Sequence, residues 1–181
     1  MTKEETKQPA GGRDGRAPGT AGVPPAPSRD GESAPAHDEC KLIVFCCNFC
    51  AYAAADLAGS MRLQYPANVR IIRTPCTGRL EVEYFLKAFE NGADGVLVAG
   101  CEEGSCHFKE GNLIAKRRVA YARKFLAESG LEPERLKMVN VSAAMARQLT
   151  EHIKEMAETV NRLRPSPLNT TKQSARQEAK L

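Results

Sequence analysis

Four short apolar runs divide the middle of the chain. Lys41–Cys46 (KLIVFC) is nearly continuous, and Val69–Thr74 (VRIIRT) is β-branched and partly alternating. Gly95–Gly100 (GVLVAG) is apolar between glycines, and Lys137–Ser142 (KMVNVS) is a weaker fourth run. Each has the length and composition of a β-strand. Between them apolar residues recur at helical spacing. Val82, Phe85, Leu86 and Phe89 follow i, i+3, i+4, i+7. Ile114, Ala122, Phe125 and Leu126 are the apolar positions of a charged segment from 110 to 129, which ends at Gly130, a candidate C-cap. Leu149, Ile153, Met156, Val160 and Leu163 form a long stripe, and an Ala-rich helix with a small face is predicted over 51–63.

The predicted order is β-α-β-α-β-α-β-α. Strands alternating with helices imply parallel βαβ units with right-handed crossovers. Near-continuous apolar strands suit a sheet covered on both faces. The expected fold is therefore α/β: a small four-stranded parallel sheet with helices on both faces, flavodoxin-like or Rossmann-like.

Composition narrows the folded part. Residues 1–38 hold six Gly, six Pro and six Ala and almost no large apolar side chain. Such a stretch cannot bury enough surface to offset its ordering entropy, and it reads as a disordered arm. Residues 164–181 read likewise as a polar tail opened by two prolines. One domain over 39–163 remains. It carries 17 Lys/Arg against 15 Asp/Glu, too small an excess for nucleic acid as the main partner. The basic run Lys116-Arg117-Arg118, with Arg123-Lys124, reads first as a solvated helix face and second as a docking patch for an acidic protein partner. No apolar run reaches the roughly 18 residues of a membrane helix, and the N-terminus lacks the apolar core of a secretory signal. A cytoplasmic setting is expected, where stable disulfides are rare and clustered thiols point to metal or redox chemistry.

The seven cysteines are not scattered. Cys46 and Cys47 close the first strand, and Cys50 follows in its loop. Cys76 lies just past the second strand, Cys101 directly after the third, and Cys106 five residues on. In a parallel sheet these strand ends share one edge, where open α/β sheets bind ligands. Helix N-termini point to the same edge and favour thiolates. Cys40 and Cys46 read as core residues, leaving Cys47, Cys50, Cys76, Cys101 and Cys106 as candidate ligands. Four thiolates hold either Zn²⁺ or an iron–sulfur cluster. The Cys47-x-x-Cys50 spacing also fits a thiol–disulfide oxidoreductase pair, so three readings stay open at this level. His107 reads as a neighbour of the site. No G-x-G-x-x-G follows a strand, no G-x-x-x-x-G-K-[ST] loop is present, and no Ser/His/Asp arrangement emerges, so an independent enzyme is not expected.

Taken together, several stretches resemble the iron–sulfur delta-subunit family of methyl-viologen-reducing hydrogenase. They are Phe45-Cys-Cys-Asn-Phe-Cys-Ala-Tyr-Ala-Ala-Ala-Asp-Leu-Ala-Gly59, Arg62-Leu-Gln-Tyr-Pro66, Cys76-Thr-Gly-Arg79, Gly92-Ala-Asp-Gly-Val96, Gly100-Cys101, Cys106-His107 and Glu110-Gly-Asn112. The resemblance spans Lys41 to Arg162. It implies a [2Fe–2S] cluster and a non-catalytic electron relay within a larger complex. The donor would be of hydrogenase or dehydrogenase type, and the acceptor a heterodisulfide-reductase-like flavoprotein. The family's C-N-x-C motif maps onto Cys47 and Cys50, and its other thiols onto Cys76, Cys101 and Cys106, which gives five candidates for four ligand positions. The sequence departs from the family at Phe49, where Trp is usual, at Phe108, where Tyr is usual, and over Glu102-Glu103-Gly104-Ser105.

Overall fold

The computed structural model describes residues 40–163 and 166–168; the predicted arm 1–38 and the tail from 169 onward lie outside the described residues. Four strands form one parallel sheet: β1 (Leu42–Cys47), β2 (Val69–Thr74), β3 (Gly95–Gly100) and β4 (Leu136–Asn140). Their spatial order is β2-β1-β3-β4, so the chain reverses direction across the sheet between β1 and β3. The helices are α1 (Ala51–Ser60), α2 (Val82–Glu90), α3 (Gly111–Glu128) and α4 (Ala146–Leu163). Two short 3₁₀ turns, Thr77–Arg79 and Pro133–Arg135, precede α2 and β4.

Alternation along the strands sends side chains to two separate cores. Leu42, Val44, Leu97, Ala99 and Val139 face α1 and the Leu149–Val160 stripe of α4. Phe45, Val96, Val98 and Leu136 face Phe85 and Phe89 of α2 and Val119, Ala122 and Leu126 of α3. The sheet is therefore covered on both faces, as the apolar strands require. The small face of α1 has a packing reason. Ala51, Ala54 and Ala58 are its buried residues, and they let α1 lie close to α4.

Local boundaries follow local chemistry. Helix α1 stops at Ser60, three residues before the predicted end, because the chain turns at Arg62 with φ 54°. Helix α3 ends as predicted. Gly130 takes φ +78°, and the Leu131 N–H reaches back to the Leu126 carbonyl.

At the amino edge of the sheet the fully buried Arg135 ties three segments together. Its Nε donates to Glu132 at 2.6 Å, one terminal nitrogen to the Asp94 carbonyl at 2.9 Å, and the other to the Leu163 carbonyl at 3.1 Å. The Asp94 carboxylate in turn accepts from the Lys41 and Ser166 backbone N–H groups, so a buried Ser166 is held at the same edge. Everything that fixes this edge lies opposite the strand ends that carry the thiols.

Candidate metal centre

The switch point lies between β1 and β3, at the carboxyl ends of two adjacent strands, where open α/β sheets bind ligands. Cys47 is the last residue of β1, Cys50 sits at the N-cap of α1, and Cys101 directly follows β3. Their Sγ atoms all lie within 4.8 Å of one another, and those of Cys47 and Cys101 are 3.6 Å apart. Three thiols predicted from sequence thus converge across the switch point. Tetrahedral thiolates around one metal at about 2.3 Å stand about 3.8 Å apart, so this spacing suits a metal without rearrangement.

The other two predicted thiols stand beside them as a pair. Cys76 caps the first 3₁₀ turn, and its Sγ accepts the Gly78 N–H at 3.4 Å. Cys76 and Cys106 interact with each other, and Cys76 also feels the charge of Cys47. Two glycines make this possible. A β-carbon on Gly78 would lie 2.7 Å from the Gly111 Cα, so the Cys76 loop and the start of α3 touch backbone to backbone. A β-carbon on Gly111 would collide with Cys76 Sγ and sit 3.3 Å from Cys106 Sγ. The start of α3 is thus a bare backbone cradle for two sulfurs. The five thiols divide into a triad and a pair, a division that sequence spacing did not reveal.

The loops carrying these thiols are clamped by polar groups. Buried Asn112 donates through Nδ2 to the carbonyls of Cys101 at 3.0 Å and Glu102 at 2.9 Å, while its Oδ1 accepts the Leu113 N–H. Asn140, at the end of β4, donates to the same Cys101 carbonyl. Arg118 corrects the reading of the basic run as a solvated face. Its guanidinium donates to the carbonyls of Gly78 at 2.7 Å and Leu80 at 3.2 Å and pairs with Glu81, because α3 packs its first turns against the Cys76 loop. Asn112 lay inside a recognised stretch, but nothing in the sequence distinguished its clamp from an ordinary helix-start Asn. Asn140 carries no sequence signal, and Arg118 shows only as one member of the basic run.

The electrostatics separate core thiol from site thiol. Burial pushes Cys46 up to about 12, so it stays a neutral core residue, as its place among the apolar side chains requires. Cys47 is held well below the usual thiol range, chiefly by a hydrogen bond from the Cys50 thiol and then by the Phe49 and Cys50 backbone N–H groups and Cys101. Cys50 is driven up by the same bond and by burial. Burial is the largest cause raising both Cys101 and Cys76. One thiolate held by its neighbours, beside Cys50, Cys76 and Cys101 pushed up by crowding and burial, is a donor set that a bound cation would ionise. The residues present therefore fit a thiolate-bound metal group.

Aromatic rings bridge the two loops. The His107 ring stacks on Phe49 with centroids 3.9 Å apart and an interplanar angle of 14°, and Phe108 meets both edge-on. His107 is thus a stacking neighbour and is absent from the converging ligand group.

Comparison with known proteins agrees with this arrangement. A family model described as methyl-viologen-reducing hydrogenase, delta subunit, matches residues 42–164. The iron-sulfur subunit of the vhu F420-non-reducing hydrogenase of Methanocaldococcus jannaschii is 46% identical over 127 residues, covering 70% of this chain and 95% of that protein. The iron-sulfur subunit of the F420-non-reducing hydrogenase of Archaeoglobus profundus is 44% identical over 127 residues, covering 70% and 93%. One component of the ferredoxin:CoB-CoM heterodisulfide reductase of Methanosarcina mazei is 45% identical over 132 residues, which cover 70% of this chain but 17% of that longer protein.

Proposed function

Because this chain belongs to the methyl-viologen-reducing hydrogenase delta-subunit family, we propose that it is an electron-transfer protein of a redox complex, holding one [2Fe–2S] cluster at the thiol edge. The observation that carries the proposal is the division of five thiols into two adjacent groups. Cys76 and Cys106 would serve one iron, and two of Cys47, Cys50 and Cys101 the other. A cluster of this kind supplies one-electron chemistry. The protein's own part is to hold the thiolates at fixed strand ends, to donate the Gly78 N–H toward sulfur, and to fix the Cys101 loop through Asn112. Such hydrogen bonds set potential as much as the ligands do.

The donor would be of hydrogenase or dehydrogenase type, and the acceptor a heterodisulfide-reductase-like flavoprotein. The Methanosarcina mazei relative, in which a matching segment forms part of a heterodisulfide reductase component, supports the second. The competing readings fit less well. A structural Zn²⁺ site needs four converging ligands, whereas three converge here among the described residues. A thiol–disulfide exchange pair needs an accessible thiolate, whereas Cys47 is 1% and Cys50 6% exposed.

Single Cys→Ala variants of the full chain, purified without oxygen and assayed for iron, test the ligand assignment. Cys76→Ala and Cys106→Ala should each lose iron, as should two of the three triad variants. Iron retained in both Cys76→Ala and Cys106→Ala would contradict the proposal.

A further inference from the structure

Away from the thiol edge, the helix cover on the α2 side of the sheet stops short of the edge strand β2. β2 is an edge strand, and α2 packs toward β3, so the α2-side face of β2 has no helix over it. The result is an open groove of about 1080 Å³ running along β2 from Asn68 to Pro75, with α2 as its far wall. Register places Ile43 beside Arg70 and Phe45 beside Ile72, so one row of the floor is apolar and one side is basic. Ile72 is 41% exposed, an unusual position for a strand isoleucine, and Tyr84 lines the α2 wall at 53%.

The rim is cationic. Lys41, Arg70, Arg79 and Lys87 line the groove, and no carboxylate does. Lys87 is engaged by Glu83 on α2, and the Arg73 side chain turns to the other face of the sheet, over the Tyr52 ring of α1 at 5.3 Å. The side chains of Lys41, Arg70 and Arg79 make no ion pair among the described residues.

We propose that this groove docks an acidic, amphipathic segment of a partner protein, with its apolar stripe on Ile43 and Ile72 and its carboxylates on the rim cations. Three observations favour a polypeptide over a small anion. The volume lies at the upper end of the roughly 300–1,000 Å³ of ligand pockets, and the groove is open rather than enclosed. The cations flank a strand that rises about 3.3 Å per residue, so they spread over roughly 15 Å instead of converging as a phosphate requires. The apolar floor between them matches the one-sided stripe of a helix laid in a groove. The carboxyl end of the groove, Thr74-Pro75, adjoins Cys76, so an occupant would sit beside the thiol edge. The inference needs no metal and stands whether or not a cluster is bound.

The test uses the full chain and a fluorescein-labelled peptide of about 16 residues with Leu at i, i+3, i+4 and i+7 and Glu elsewhere, the spacing of helix-in-groove ligands. Its control carries Gln for every Glu. Anisotropy should show the Glu peptide binding about tenfold tighter than the Gln peptide at low salt, with the preference shrinking as the Debye length falls. Lys41→Glu/Arg70→Glu should abolish the preference, Arg70→Lys should keep it, and Arg123→Glu/Lys124→Glu on α3 should leave it intact. Ile72→Ser should weaken both peptides. An unchanged thermal midpoint in Lys41→Glu/Arg70→Glu confirms that this exposed pair does not affect folding; if the midpoint falls, Arg70→Gln replaces the double variant. Equal affinity for the two peptides overturns the proposal, as does an equal loss in the α3 variant, or displacement of the Glu peptide by ADP or FMN.

Discussion

Arg135 offers the sharpest test of how the fold and the site are divided. Arg135→Met keeps most of the side-chain length in a position that is 0% exposed but removes, among the described residues, three hydrogen bonds from a charged donor. Glu132 is partly exposed and can return to water, so the main loss is at the carbonyls of Asp94 and Leu163. A buried acceptor deprived of its donor costs about 1–3 kcal/mol, and the methionine methyl recovers part of that by packing. The expected net loss, over two such acceptors, is about 3 kcal/mol. Roughly 125 ordered residues at ~2.1 cal/mol/K each give an unfolding entropy near 0.26 kcal/mol/K, so the midpoint should fall by about 11 °C. Differential scanning calorimetry of the metal-loaded protein reads this directly. Iron content and the visible spectrum at about 10 °C should not change, because Arg135 holds the amino edge and the thiols lie at the carboxyl edge. A midpoint within about 3 °C of the parent would refute the reasoning about buried carbonyls. Loss of iron without loss of stability would refute the separation of the two edges.

Four further outcomes are expected. Arg135 holds the Glu132 carboxyl below the usual carboxylate range, so its contribution is present above the unfolded pKa and fades as pH drops through the lowered folded value. Glu132→Gln should therefore cost under about 1 kcal/mol at pH 7, given its exposure, and flatten the acid limb of a melting-versus-pH curve below about pH 5. Gly111→Ala should raise helix propensity yet cut iron affinity by about tenfold or more, measured by chelator competition, since its β-carbon occupies the place of Cys76 Sγ. Asn112→Ala should loosen the Cys101 loop and shift the midpoint potential in a spectroscopic redox titration, with the circular dichroism spectrum preserved. Cys46→Ala should keep its full iron complement and lose about 1 kcal/mol of stability to denaturant, because that thiol is core packing.

Much of this architecture is legible in the sequence because the apolar strands are short and bounded by turn residues. Val69–Thr74 and Gly95–Gly100 read as strands with the bounds they have. β1 lies one residue later than its apolar run, since Cys47 pairs with Thr74 across the ladder and nothing local signals that pairing. The collection of thiols at one edge was also legible, because parallel strands bring their carboxyl ends together whatever their order. Their grouping was not. It depends on the order β2-β1-β3-β4, which places Cys47 and Cys101 on neighbouring strands, and on the backbone contact between Gly78 and Gly111. Arg118 misleads for a similar reason. A charged run reads as solvated until another loop offers it two carbonyls. The buried Arg135 and the open groove on β2 are products of tertiary packing, and no short window of sequence encodes either.

The central claim is a two-iron cluster on thiolates of this edge. Its most direct test is iron and acid-labile sulfide analysis of the protein purified without oxygen, joined to low-temperature electron paramagnetic resonance before and after dithionite reduction. About two iron and two sulfide per chain are expected, silent when oxidised and giving one spin-half signal when reduced by one electron. One zinc per chain with no iron and no signal on reduction would contradict it.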